Sequence, residues 1–300
     1  MTGGRVVLAA LGGALALAAA PAQAQTPRQV LEPGGSGAFP AVAEAHASAP
    51  GFTVYRPLRA AGAKLPIVLW GNGGCRDAGL SAAAFLREIA SHGYLVIANG
   101  APRGFPALPP GTPPPPPPAV DETRAAALLE ALDWAARDPA LRRLGDQRRV
   151  AVMGHSCGGL QALAVGHDPR IDTVVLLGSG VYNRPGSGVS RVSVSKDDLR
   201  KIKVPMAYFL GGESDIAFAN GRDDVARIDH VPVFLGSLPV GHGGTLNVAN
   251  GGDWARAATA WLDWQLKGSR AAARWFAGSD CRLCTTYGWT VTAKNIMEPK

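Results

Sequence analysis

Seven short apolar runs, separated by segments of helical length, constrain this chain more than any other feature. Residues 52–56, 65–70, 94–98, 149–153, 173–177, 205–210 and 231–235 read as strands bounded by Gly, Pro or polar residues. Most are apolar at nearly every position, the pattern of a strand covered on both faces. Residues 81–92, 121–137, 157–165 and 253–266 carry helical spacing instead, with Phe85, Leu86 and Ile89 on one face and Trp254, Ala258, Trp261 and Leu262 on another. Asp121 and Glu122 in a first turn would suit the helix dipole. Alternating strands and helices imply an α/β chain with a mostly parallel central sheet and helices on both faces. Apolar residues make up 47% of the 300, enough for a large core, in which Trp261 and Trp264 are read as packing residues.

The ends are composed differently. Arg5 precedes an apolar run from residue 6 to 20, and Ala22-Gln23-Ala24 follows as a small-x-small pattern. This is the layout of a cleaved export signal over residues 1–24, too short for a membrane span. The mature chain is expected to be secreted or periplasmic, without stable membrane insertion. Residues 25–50, rich in Ala, Gly, Pro and Ser, read as a loosely structured leader. The main domain then runs over 51–300, with a tail from Gly268. Residues 102–118 form a Pro-rich loop that reads as a stiff connection or a rim of the site, and 187–203 as a small cap or an excursion. The formal charge is +7, but only Arg142, Arg143, Arg148 and Arg149 cluster, around a loop, and no basic stripe carries interleaved aromatics. Nucleic acid is therefore not an expected partner.

The strongest chemical signal is Gly154-His155-Ser156-Cys157-Gly158. It fits G-x-S-x-G and lies between the strand RVAVM and the helix GGLQALAV, the strand–turn–helix order of a nucleophile elbow. Small flanking residues are needed because the serine occupies a tight turn. Ser156 is the expected nucleophile. A serine hydroxyl needs a base, and the base needs an orienting acid. Asp215 just follows the strand PMAYFL, and His242 lies on the Gly-rich loop PVGHGG. The spacings, about 60 and about 27 residues, suit one intervening α/β unit each. Glu213, Asp223 and Asp224 are the competing acids. Among the other histidines, His155 is expected to point away into the structure, His46 lies in the leader, His92 and His167 end helices, and His230 precedes a strand. An oxyanion hole would take one backbone N–H from Cys157 and another from the loop after IVLW, with Gly73 the favoured donor. Trp70, at the end of that strand, would shape the pocket or simply pack.

Four cysteines remain after the signal. Cys75 and Cys157 adjoin the two halves of the proposed hole, so they either pair and brace it or remain separate buried thiols. Cys281 and Cys284 form C-x-x-C and are expected to pair, since zinc would need two further ligands.

Ser156, Asp215 and His242 in this chain order, with the elbow GHSCGG, resemble the α/β-hydrolase superfamily over roughly residues 52–266. The single-domain layout is similar to the branch of dienelactone hydrolases, cutinase-like polyesterases and platelet-activating-factor acetylhydrolases. The resemblance implies serine-dependent hydrolysis of small or polymeric carboxylic esters, without metal or organic cofactor. The chain departs from it at Cys157, where many relatives carry Met, and in WGNGGC, where many carry a His-Gly motif. Dienelactone hydrolases proper use a cysteine nucleophile, which disfavours that particular activity. The same triad would serve a peptidase, amidase or acyltransferase, and the fold alone would serve a non-catalytic binding protein.

Overall fold

A computed structural model describes residues 1–4, 26–59, 62, 64–104, 122–184 and 192–297. Most of the segment expected to be an export signal, most of the Pro-rich loop, Asp121 and the first part of the 187–203 segment lie outside the described residues. Among the described residues ten strands, numbered along the chain from β1 (Arg28–Gly34) and β2 (Ala41–Ala45) to β10 (Thr290–Lys294), form one sheet in the order β1-β2-β3-β5-β4-β6-β7-β8-β9-β10. Its centre is parallel: β5 (Leu95–Asn99), β4 (Leu65–Gly71), β6 (Gly145–His155), β7 (Thr173–Leu177), β8 (Met206–Leu210) and β9 (Val233–Ser237). Antiparallel strands flank it, with β3 (Phe52–Pro57) on β5 and β10 (Thr290–Lys294) on β9.

The apolar runs explain the layering. In β4, Val68 and Trp70 face one core while Ile67 and Leu69 face the other, the two-residue alternation of a strand. On the first face pack α1 (Ala83–Ser91) and α6 (Gly252–Lys267), contributing Phe85, Ile89, Trp254, Ala258 and Trp261. On the second pack α2 (Ala126–Arg137), the short α3 (Pro139–Leu144), α4 (Cys157–Val165) and α5 (Phe218–Arg227), contributing Leu128, Leu132, Leu141, Leu160 and Val225. Every strand from β4 to β9 therefore has both faces covered, and its C-terminal end opens on one edge where loops gather. Among the described residues no helix is long and apolar enough to cross a membrane.

Residues 25–50 are not the loose leader expected from composition. They supply β1 (Arg28–Gly34) and β2 (Ala41–Ala45), which extend the sheet beyond β3. Ala is a poor strand former in isolation, but pairing with β3 and burial of Ala41 and Ala43 in the first core decide the outcome. Glu44 projects the other way and is held by Arg56 of β3, with Oε2 accepting from Nε at 2.9 Å. His46 is buried edge-on against Trp134, at 5.2 Å between centroids. Strand β10 is the second addition. It is a polar edge strand with no buried run, so nothing in its pattern announced it. Helix α2 starts at Ala126, five residues later than expected, so Glu122 lies ahead of its first turn and forms a β-bridge with Arg76 instead.

Trp261 joins the two halves of the expectation. Its ring is fully buried between Phe234 and Phe276, and its indole N–H donates to Thr173 Oγ1 on β7 at 2.8 Å. Trp261→Ala removes that packing and leaves a cavity, so a loss of about 3–5 kcal/mol is expected. Urea unfolding monitored by circular dichroism measures it, and an unchanged midpoint would contradict this account of the core.

Candidate active site

Strand β6 delivers Ser156 to the C-terminal edge of the sheet, and α4 departs from it at once. Ser156 has φ 52° and ψ −121°, a conformation that L-residues rarely adopt. Such a residue costs on the order of 1–3 kcal/mol and persists only where its surroundings dictate it. Its own N–H donates to Leu177 O at 3.0 Å, and its carbonyl accepts from Ser179 Oγ at 2.7 Å. The flanking glycines are steric requirements. A Cβ on Gly154 would meet Gly158 O at 2.1 Å, and one on Gly158 would meet Gly71 O at 2.0 Å.

Two loops from neighbouring strands meet the hydroxyl. Asp215 follows β8 and is buried, and His242 lies on the loop after β9. His242 Nδ1–H donates to Asp215 Oδ1 at 2.6 Å, and His242 Nε2 stands 2.9 Å from Ser156 Oγ. With Nδ1 carrying the proton, Nε2 is the nitrogen that accepts from the hydroxyl. Backbone N–H groups of Gly211 and Ala217, each at 2.9 Å, complete the carboxylate's partners. Burial pushes Asp215 upward, but these three hydrogen bonds together outweigh it and hold the carboxyl below its usual value. The competing acids are elsewhere. Glu213 is exposed, Asp223 pairs with Lys196 and Arg227, and Asp224 is buried under the site, accepting from Val181 N.

The loop after β4 lies against the elbow. Gly73, Gly74 and Cys75 form one tight turn, with Gly74 at φ 65° and Cys75 at φ 51°. Cys75 and Cys157 form a disulfide with Cα atoms 5.1 Å apart, and Cys281 and Cys284 form a second. The first bridge thus joins the two segments expected to carry the oxyanion donors. Sequence reasoning missed Asn72, which fixes this turn. Its Oδ1 accepts from Trp70 Nε1 at 2.8 Å, and its Nδ2 donates to Asn99 O at 2.8 Å and to Arg76 O at 3.1 Å. A polar residue ending a fully buried strand was the available signal. Trp70 itself is fully buried against Phe85, so packing accounts for most of its ring, although it also borders a cavity.

The expectation for His155 is corrected. Its ring does not point away but stands 5.0 Å from the His242 ring, with Nε2 donating to His242 O at 2.8 Å. Burial pushes its imidazole down to about 4, so it is neutral around pH 7; the donated hydrogen bond opposes that shift and the neighbouring His242 adds to it. The remaining histidines are structural here. His92 binds Glu88, His230 binds Ile202 O, and His167 is exposed.

Cavities open on both sides of the Ser156–His242 pair. One of about 330 Å³ runs past Gly178, Tyr182, Asn183 and Asn220, with the 79% exposed Ile216 on its rim. The other, of about 250 Å³, runs past Trp70, Gly73, His155 and Leu246. Compared with models of known families and with curated protein sequences, the chain finds no match in either.

The Cys75–Cys157 bridge closes a separation of 82 residues. Replacing both cysteines by alanine is expected to cost roughly 2–4 kcal/mol in urea unfolding under non-reducing conditions. An unchanged midpoint would mean that Asn72 and its hydrogen bonds hold the turn alone.

Proposed function

We propose that this chain is a serine hydrolase of the single-domain α/β-hydrolase kind, cleaving carboxylic esters through an acyl-enzyme. One observation carries the reading: the continuous hydrogen-bonded line from Asp215 through His242 to Ser156 Oγ, set between two cavities. Nothing in the packing of the core calls for a serine at φ 52° with a histidine on its hydroxyl, whereas nucleophilic catalysis needs both.

The steps follow from the atoms. Ser156 Oγ attacks the ester carbonyl as His242 Nε2 takes its proton. The imidazolium is held by Asp215, whose lowered pKa keeps it an anion while His242 is charged. The oxygen that becomes negative lies toward the backbone of Cys157, at the first turn of α4, and toward Gly73. Both segments are fixed before the reaction, by the disulfide and by Asn72, so they cost little reorganisation as charge develops. His242 then returns its proton to the leaving alcohol, which departs. Water enters and attacks the acyl carbonyl as His242 takes one of its protons, and His242 returns that proton to Ser156 Oγ as the bond to the acyl carbon breaks and the acid is released. The two cavities give the acyl and alcohol parts separate places on either side of the nucleophile. The two disulfides suit an oxidising compartment outside the cytoplasm.

Hydrolysis of p-nitrophenyl butyrate by the mature chain tests this. Ser156→Ala is expected to lower kcat by a factor on the order of 10⁶, and Asp215→Asn by about 10⁴, through the wrong His242 tautomer. Equal rates in wild type and Ser156→Ala would remove Ser156 from the mechanism. A rate unaffected in Asp215→Asn would assign the acid elsewhere.

A further inference from the structure

We propose that His155 is a positioning residue that sets the place of His242 through its backbone, a role resting on the reading of Ser156 and His242 as nucleophile and base. The base sits on a glycine-rich segment. Gly241 and Gly244 around it have φ 74° and 53°, and Gly243 has open space at its Cβ position. Upstream, the loop is tied by Val240 N and Gly241 N to Gly211 O, at 3.1 and 2.8 Å. At His242 itself the tie comes from a side chain. His155 Nε2 donates to its carbonyl at 2.8 Å.

His155 is suited to this because of what carries it. It is the last residue of β6, a strand paired on both sides, and it directly precedes the nucleophile. The hydrogen bond therefore references the base loop to the same rigid element that presents Ser156 Oγ. The ring also fills the gap between the loops. A Cβ on Gly73 would come within 2.7 Å of His155 Nδ1, and one on Gly178 within 3.4 Å of its Cδ2. Nucleophile, base loop and oxyanion turn thus all abut one imidazole. Since Nε2 must carry the proton to donate to a carbonyl, Nδ1 is the unprotonated nitrogen, and it stands beside Gly73, whereas the contact at Ser156 Oγ is made by His242 Nε2.

The test separates the hydrogen bond from the bulk of the ring. His155→Phe keeps a ring without the N–H. His155→Gln places an amide N–H at the same number of bonds from Cβ as Nε2. His155→Asn has an amide one atom too short and carries the same expectation as Phe should the phenyl ring prevent folding. Loss of the tie is expected to lower kcat about 10–100-fold, the scale set by misplacing a catalytic group by roughly 1 Å, with KM within about threefold. Gln is expected to restore kcat to within about fivefold of wild type. Two readouts need no substrate: the rate at which a fluorophosphonate labels Ser156, and the low-field NMR signal of the His242 Nδ1 proton on Asp215. Both should be retained in Gln, and in Phe or Asn the labelling should slow and the signal broaden. Wild-type rates and an intact signal in Phe or Asn would overturn the proposal, as would equal impairment in Gln. If the wild type hydrolyses no ester, the functional reading falls, while labelling and NMR still decide the role of His155.

Discussion

The contact between the backbones of Gly71 and Gly158 is the constraint on which the site depends. Two backbone segments meet there at a distance that leaves no room for a Cβ on Gly158, 2.0 Å from Gly71 O. That approach lets α4 start directly above β4 and β6, which forces the chain to reverse through Ser156 at positive φ. The strain at Ser156 is local, but the forces that sustain it are spread through the sheet. Leu177 and Ser179 from the adjacent strand and its loop hold the serine's N–H and carbonyl, and both cores press the flanking helices inward. A turn that would be unfavourable in a peptide is the best available conformation once these elements are packed.

Electrostatics divides the two neighbouring histidines by what surrounds each. His242 faces a buried carboxylate at 2.6 Å. His155 hydrogen-bonds a carbonyl instead, and the burial of its ring disfavours the cation more than that carbonyl and the more distant Asp215 favour it. The same side chain, 5.0 Å away, is thus a neutral hydrogen-bond donor. Asp215 completes this separation, because its three donors make protonation of the carboxylate the less favourable option.

Much of this was legible in the sequence wherever burial is two-sided. Strands β4 to β9 are dense in Val, Ile, Leu and aromatic residues because helices cover both faces, and the placement of Ser156, Asp215 and His242 at their ends followed from counting. Strand β2 was not legible, because Ala-Val-Ala-Glu-Ala buries through small side chains that carry little signal, and β10 was not, because an exposed edge strand has no apolar requirement. His155 failed for another reason. Its side chain meets the loop that carries His242, which reaches over the end of β6 only in the folded chain. Asn72 was hidden because its partners, Asn99 and Trp70, come together only in the folded sheet.

The site uses two kinds of restraint, and their difference matches what each part must do. Oxyanion donors are most effective when they do not move, since any reorganisation during the reaction subtracts from the charge they stabilise. A covalent bridge between Cys75 and Cys157, with Asn72 behind it, is appropriate there. In the proposed reaction the base instead takes a proton from one oxygen and returns it to another, which requires small adjustments of its ring. Hydrogen bonds from His155 to its carbonyl and to Asp215 from its Nδ1 define its position while leaving that freedom. A disulfide on the His242 loop would fix the base to one donor–acceptor geometry. On that reading, a covalent bridge holds the turn beside Ser156, whereas hydrogen bonds hold the side chain and carbonyl of His242.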